Sequence, residues 1–189
     1  YHRLTEIISK NIAANGLGNS DQNEQLKSLL MRRARLVGTA SNKLIELEKL
    51  ISSQEVPKHS LFYCSDGQVS DEDIEDYSDE DAEKLEIKQR TAVAKILRSK
   101  GVSASAFTAT ESRSQRTEIL DNFKQGEVNS LIAIKCLDEG IDVPACTTAY
   151  LLASSRNPRQ FIQRRGRILR RAEGKEKAVI YDFVVVLPP

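Results

Sequence analysis

Three side chains near the end of the chain are spaced for work on phosphate. Gln163, Arg167 and Arg170 follow one another at i, i+4 and i+7, which puts them together on one side of a helix. Two guanidiniums held in a row suit the oxygens of a phosphate group, because each is permanently charged and offers a planar fork of donors. Phe161, Ile162, Ile168 and Leu169 are expected on the other side as the apolar anchor. Asn157-Pro158 supplies a start signal, Asn as N-cap and Pro as the first helical residue. The element reads as one helix, or as a helix running into a tight turn at Gly166. A solvated basic face is the plain alternative. Arg165 argues against it: it falls inside the apolar stripe, which predicts that the helix packs against something polar.

Positioning such a helix requires a framework, and the chain upstream has the pattern of one. Leu61-Phe62-Tyr63-Cys64 is an apolar run ending in the turn residues Ser65-Asp66-Gly67. Leu85, Ile87, Ala92, Val93, Ile96 and Leu97 then mark a helix that stops at Gly101. Val102 to Thr108 is a second strand. Ser112 with Gln115 is a capping box opening a helix with Ile119, Leu120 and Phe123, stopped by Gly126. Residues 130–134, Ser-Leu-Ile-Ala-Ile, form a third strand that is continuously apolar, as buried parallel strands are. Thr147 to Leu152 is a fourth and Ala178 to Val186 a fifth. Strands separated by helices predict an α/β fold, a parallel sheet covered by helices on both faces. Ligands of such sheets gather beyond the carboxyl ends of the strands, and every polar stretch of interest (64–67, 108–116, 135–144, 153–170) follows a strand.

The first part of the chain is different. Leu4, Ile7, Ile8 and Ile12 make a short helical stripe closed by Asn15-Gly16-Leu17-Gly18. A longer stripe from Leu26 to Ile51 is one amphipathic helix or two broken near Gly38, ended by the Pro57 region. Residues 1–56 are therefore expected as a helical appendage, and 57–189 as the α/β domain.

The 189 residues carry a net charge of only +1, so bulk charge does not announce a nucleic-acid binder. The distribution does more: Asp66 to Glu83 holds ten acidic residues and no basic ones, whereas Arg156 to Lys177 holds nine basic residues against Glu173 and Glu176. The acidic stretch 66–83 is expected as a flexible, solvated loop, and it lacks the ligand spacing of a calcium loop. Cys64, Cys136 and Cys146 have no metal-like spacing and are odd in number, so reduced, buried or semi-buried thiols in a cytoplasmic protein are expected. No metal site is expected. No apolar run is long enough to span a bilayer, and Asp182 breaks the longest candidate, Ala178 to Leu187. The chain opens on Tyr1 without an initiator Met and stops at Pro189 directly after a strand-like run; a piece of a longer protein is expected.

Three of the polar stretches resemble motifs of superfamily II helicases, in the second (C-terminal) RecA-like domain. Gln163-x-x-Gly166-Arg167-x-x-Arg170 is similar to motif VI, and Leu131 to Pro144, with Asp138-Glu139-Gly140-Ile141-Asp142-Val143-Pro144, to motif V. Phe107-Thr108-Ala109-Thr110 through Arg116 to Phe123 and Gly126 resembles the strand and helix between motifs IV and V, and Leu61 to Ser65 sits where motif IV belongs. The resemblance covers about residues 59–186. Gln at the head of motif VI together with Glu-Gly-Ile-Asp-Val-Pro resembles the DEAH-like DNA helicases and translocases, restriction-type enzymes included, rather than the DEAD-box RNA group. Residues 1–54 match no motif and resemble the helical connector between two motor domains.

The resemblance implies roles. Arg167 and Arg170 would be arginine fingers on ATP held by the other motor domain, with Gln163 at the phosphates or the attacking water. Asp142 would accept a hydrogen bond from the ribose, and Gly140 would let the backbone turn close to the nucleotide. Thr108, Thr110, Lys135 and Cys136 would face the nucleic-acid backbone, with Arg116 as a helper. Ile134 departs from the pattern, since many relatives carry Thr there. The chain has no Gly-x-x-x-x-Gly-Lys-Ser/Thr loop and no matching magnesium motif. ATP and Mg2+ would thus be held mainly by a preceding N-terminal RecA-like domain. The implied activity is that of an ATP-dependent helicase or translocase, an ATPase acting on nucleic acid, with DNA expected; this piece alone would be inactive. The alternative from another class is a non-catalytic RecA-like module that binds nucleic acid or protein, and a Walker-type loop upstream of Tyr1 would separate the two.

Overall fold

The structure is a computed structural model and describes residues 2–15, 26, 28–30, 33, 37, 40–64, 80–108, 110–134, 143, 145–153, 162 and 165–186. Its helices are α1 (His2–Asn15), α2 (Asn42–Ser53), α3 (Glu80–Ser99) and α4 (Arg113–Gln125). Its strands are β1 (Ser60–Tyr63), β2 (Ala104–Phe107), β3 (Ser130–Ala133), β4 (Thr148–Leu151) and β5 (Val179–Asp182).

The strands form one five-stranded sheet in the order β2-β3-β1-β4-β5. Every pairing is parallel. The three inner strands are buried along their whole length, which is why their sequences are unbroken apolar runs. The two outer strands are more exposed.

Successive side chains of a strand point to opposite faces, and the two faces fill separate cores. Leu61 and Tyr63 join Phe107, Leu131, Ala149, Leu151 and Phe123 of α4 on one face. Phe62 and Cys64 join Ile132, Tyr150, Leu152, Leu47 and Ile51 of α2, and Val93 and Leu97 of α3 on the other. Stacking of Phe62 on Tyr150, with centroids 4.5 Å apart, knits the second core across β1 and β4. Each fully buried Leu, Val or Phe here contributes about 1.5–3 kcal/mol by leaving water.

Helix boundaries follow local chemistry. The Ser112–Gln115 capping box forms as expected, with both reciprocal bonds present, and Gly126 ends α4 in the left-handed region at φ 77°. Gly101, at φ 71°, closes the turn after α3, where the Val102 N–H donates to the Leu97 carbonyl. α2 stops at Ser53, and Gln54 is extended, ahead of Pro57. Helical residues lie between 26 and 37, and the helix is interrupted at Ala40 and Ser41, so the two-helix reading fits. Leu4 and Ile8 of α1 pack with Leu26.

Two elements differ from expectation. α3 starts at Glu80, so the last part of the acidic stretch 66–83 is helical; residues 66–79 lie outside the described residues. β5 ends at Asp182 rather than Val186. Its neighbour among the described strands, β4, ends at Leu151, the partner of Asp182, and among the described residues the bond from Phe183 N–H to the Leu151 carbonyl is the last of that ladder. Beyond it Val184 and Val186 are exposed. No helix among the described residues is long and apolar enough to cross a membrane.

Candidate functional site at the carboxyl edge

The strand register lines up Phe107, Ala133, Tyr63, Leu151 and Asp182 across the sheet. The residues that follow them form one edge: Thr108, Ile134, Cys64, Leu152 and Phe183. Backbone bonds continue one step past the strands there, from Cys64 N–H to the Ala133 carbonyl and from Leu152 N–H to the Tyr63 carbonyl.

The arginine segment reaches this edge through an ion pair. Residues 165–168 are helical, and the Leu169 N–H donates to the Arg165 carbonyl at 2.8 Å. Arg165 Nη2 donates to Asp182 Oδ2 at 2.5 Å, with the two side chains 31% and 17% exposed. An arginine inside an apolar stripe thus meets an acid at the end of β5, the polar surface that its position predicts. Ile168 is fully buried in the core shared with Tyr63, Phe107 and Phe123.

The rest of the expected apolar face is not an anchor. Ile162 is 68% exposed and Leu169 54% exposed, while Phe161 lies outside the described residues. Ile162 stands about 120° round an ideal helix from Ile168, too far for one seam. Leu169 is where the chain leaves the helix. Nor is there a tight turn at Gly166, which is helical.

Of the two expected fingers, Arg167 is half-buried and Arg170 exposed. Lys175, after a turn with Gly174 at φ 74°, sends its ammonium back to the Ile168 carbonyl at 2.5 Å and the Arg170 carbonyl at 3.0 Å. Burial pulls the lysine below its ordinary range, partly opposed by Cys146. Gln163, Gly140, Asp142, Lys135 and Cys136 lie outside the described residues. At the other end of the edge, Thr108 is buried and Thr110 exposed, their hydroxyls 2.8 Å apart. The Glu111 carboxylate accepts from the Thr108 N–H at 2.6 Å and from its hydroxyl at 2.9 Å. Arg116 is half-buried in the first turn of α4. Ile134, the departure from the motif, packs into the core beside Phe62 and Tyr150.

Three residues of this edge were missed by sequence reasoning. Asp182 was read only as a break in an apolar run; the matching signal was Arg165, a second charge in an apolar setting. Lys43 is buried, and its Nζ donates to the Leu152 carbonyl at 2.6 Å. Burial lowers its pKa to about 8, against the opposing pull of Asp182. A lysine on a helical stripe gives no sign of that, and neither did Lys175. Among the described residues there is no group of three His, Cys, Asp or Glu able to hold a metal.

Known proteins share the sequence pattern and fold of this chain. The chain is 39% identical over 72 residues to the DNA 3'-5' translocase XPB2 of Sulfurisphaera tokodaii, covering 38% of this chain and 16% of the relative. It is 40% identical over 75 residues to Dicer-like protein 2-2 of Aspergillus niger, covering 37% of this chain and 6% of that one. The chain therefore spans only a small part of the curated relatives it matches. Among solved structures, the C-terminal part of the Fun30 ATPase domain superposes with a TM-score of 0.54 at 17% identity, over 76% of this chain and 41% of that one, a likeness of fold. The model of the helicase conserved C-terminal domain matches residues 42–172, and the chain accordingly belongs to that family, the C-terminal RecA-like domain of superfamily II helicases.

Proposed function

We propose that the chain is the second motor domain of an ATP-dependent superfamily II helicase or translocase acting on DNA. In this reading, Arg167 and Arg170 are arginine fingers for ATP held by a preceding RecA-like domain. Gln163 serves the phosphates or the attacking water, and Gly140 and Asp142 meet the nucleoside. The observation that carries it is the Arg165–Asp182 pair, which brings the segment bearing Arg167 and Arg170 to the carboxyl edge of the sheet. Ligands of parallel sheets gather at that edge. Permanent cations there fit the charge that develops on a transferring phosphoryl group. The P-loop lysine and the Mg2+ ligands belong, in this reading, to the preceding domain, with residues 1–56 as the connector. DNA is favoured over RNA by the Glu-Gly-Ile-Asp-Val-Pro form of motif V and by the relative named as a DNA translocase.

Thr108, Thr110, Lys135, Cys136 and Arg116 would track one strand by its backbone, a sequence-independent grip that suits stepping. The test uses the full-length protein with Arg167→Ala and Arg170→Ala. ATPase should fall by roughly 10³–10⁵ for a finger of this kind, with DNA binding retained. Retained ATPase with lost binding would mean a non-catalytic binding module instead. The isolated chain should neither bind ATP tightly nor hydrolyse it.

A further inference from the structure

The segment carrying Arg167 and Arg170 is tied down on both sides by charged groups from outside it. On one side, Arg165 reaches Asp182, the last residue of β5, whose backbone is fixed opposite Leu151. On the other, the Lys175 ammonium takes the carbonyls of Ile168 and Arg170. Between them the Ile168 side chain is sunk in the core. Arg167 leaves the backbone one residue before that anchor. Arg170, two after it, has its own carbonyl held.

Both ties have a local reason. The last carbonyls of a helical turn lack partners within the helix, and a lysine returning from the following turn satisfies that of Ile168 together with the Arg170 carbonyl just beyond. A half-buried ion pair is shielded from salt but is costly to desolvate, so it adds little net stability and much geometric definition. The sheet does not need either contact, because β5 pairs with β4 through backbone bonds whatever side chain stands at 182. What the two contacts hold is the backbone on either side of residues 167 and 168 and the carbonyl of residue 170.

We propose that Asp182, acting through Arg165, and Lys175 are positioning residues that aim the guanidiniums of Arg167 and Arg170. The proposal rests on the reading of those two as fingers. Fingers act on the transition state, where misplacement of about 1 Å costs on the order of a hundredfold in rate. Loss of a positioning contact should therefore lower kcat while leaving ground-state ATP binding nearly alone.

The experiment measures steady-state ATPase of the full-length protein at saturating poly(dT). The variants are Asp182→Asn, Lys175→Met, Lys175→Arg and the charge swap Arg165→Asp with Asp182→Arg. Expected are a fall in kcat of about 10–100-fold for Asp182→Asn and Lys175→Met, KM for ATP and affinity for poly(dT) within about twofold, and partial recovery of kcat in Lys175→Arg and in the swap. Unchanged kcat in Asp182→Asn and Lys175→Met overturns the proposal. So does a loss that neither Lys175→Arg nor the swap recovers, or one that lowers kcat, ATP binding and melting temperature together. If Asp182→Asn fails to fold, the swap and the two Lys175 variants decide. Arg167→Ala and Arg170→Ala run in parallel: if they retain kcat, the finger reading itself falls. If they abolish it while Asp182→Asn and Lys175→Met do not, only the positioning roles fall.

Discussion

Lys43 and Leu152, 109 positions apart, meet at the carboxyl edge, where the lysine Nζ donates to the leucine carbonyl at 2.6 Å. The contact joins the first turn of α2 to the end of β4. Burial drops the amine from the ordinary 10.5 to about 8, and Asp182 opposes the drop. Between those two values the unfolded chain holds the extra proton, so stability should rise with pH through that window. Below about pH 8 both states are charged and the burial cost is present in full. The rise is on the order of 2 kcal/mol. Denaturant unfolding of wild type and Lys43→Met from pH 7 to 10.5 should show the slope in the first and lose it in the second. Parallel curves would mean that Lys43 is charged and solvated throughout.

Cys64 and Cys146 are both buried, one in each core, and burial pushes both thiols up to about 12. Arg90 beside the first and Lys175 beside the second only moderate this. Cys146 also donates to the Thr148 carbonyl at 3.3 Å. The thiolate is the nucleophile, so neither residue should react with iodoacetamide at neutral pH while the chain is folded. Peptide mapping after brief labelling should find both unmodified, and both modified once denaturant is added. Rapid labelling of either in the native chain would contradict its place in the core.

Much of this architecture is legible in the residues, for a physical reason. Parallel strands buried on both faces leave unbroken apolar runs, and helices end on glycines that must enter the left-handed region, so β1, β3, β4, Gly101 and Gly126 announce themselves. The start of α3 does not. Its first turn, Glu80 to Glu83, is acidic and has the composition of a solvated loop. The end of β5 is decided by where β4 stops, a non-local fact. At the site, Arg165 declared the need for a polar partner, but only the fold could say that the partner is Asp182. Lys43 was invisible because a lysine within a helical stretch reads as solvent-facing.

Thr108 and Thr110, expected to face a nucleic-acid backbone, turn donors onto Glu111. Its carboxylate accepts from the Thr108 N–H at 2.6 Å, the Thr108 hydroxyl at 2.9 Å and the Thr110 hydroxyl at 3.4 Å. Burial alone would push this carboxyl up; the bonds from Thr108 and Thr110 outweigh it and hold it below 4.5. A depressed carboxyl stabilises the fold above its unfolded pKa, and that contribution fades as pH falls through the folded value. Glu111→Gln should therefore melt below wild type at neutral pH, with the gap narrowing as pH falls below 4.5 and through the depressed folded value. A phosphate using the same donors would have to displace the carboxylate, whose charge repels it. The variant should then hold poly(dT) more tightly in the full-length protein, read by fluorescence anisotropy. Equal or weaker binding would remove these two threonines from the nucleic-acid surface.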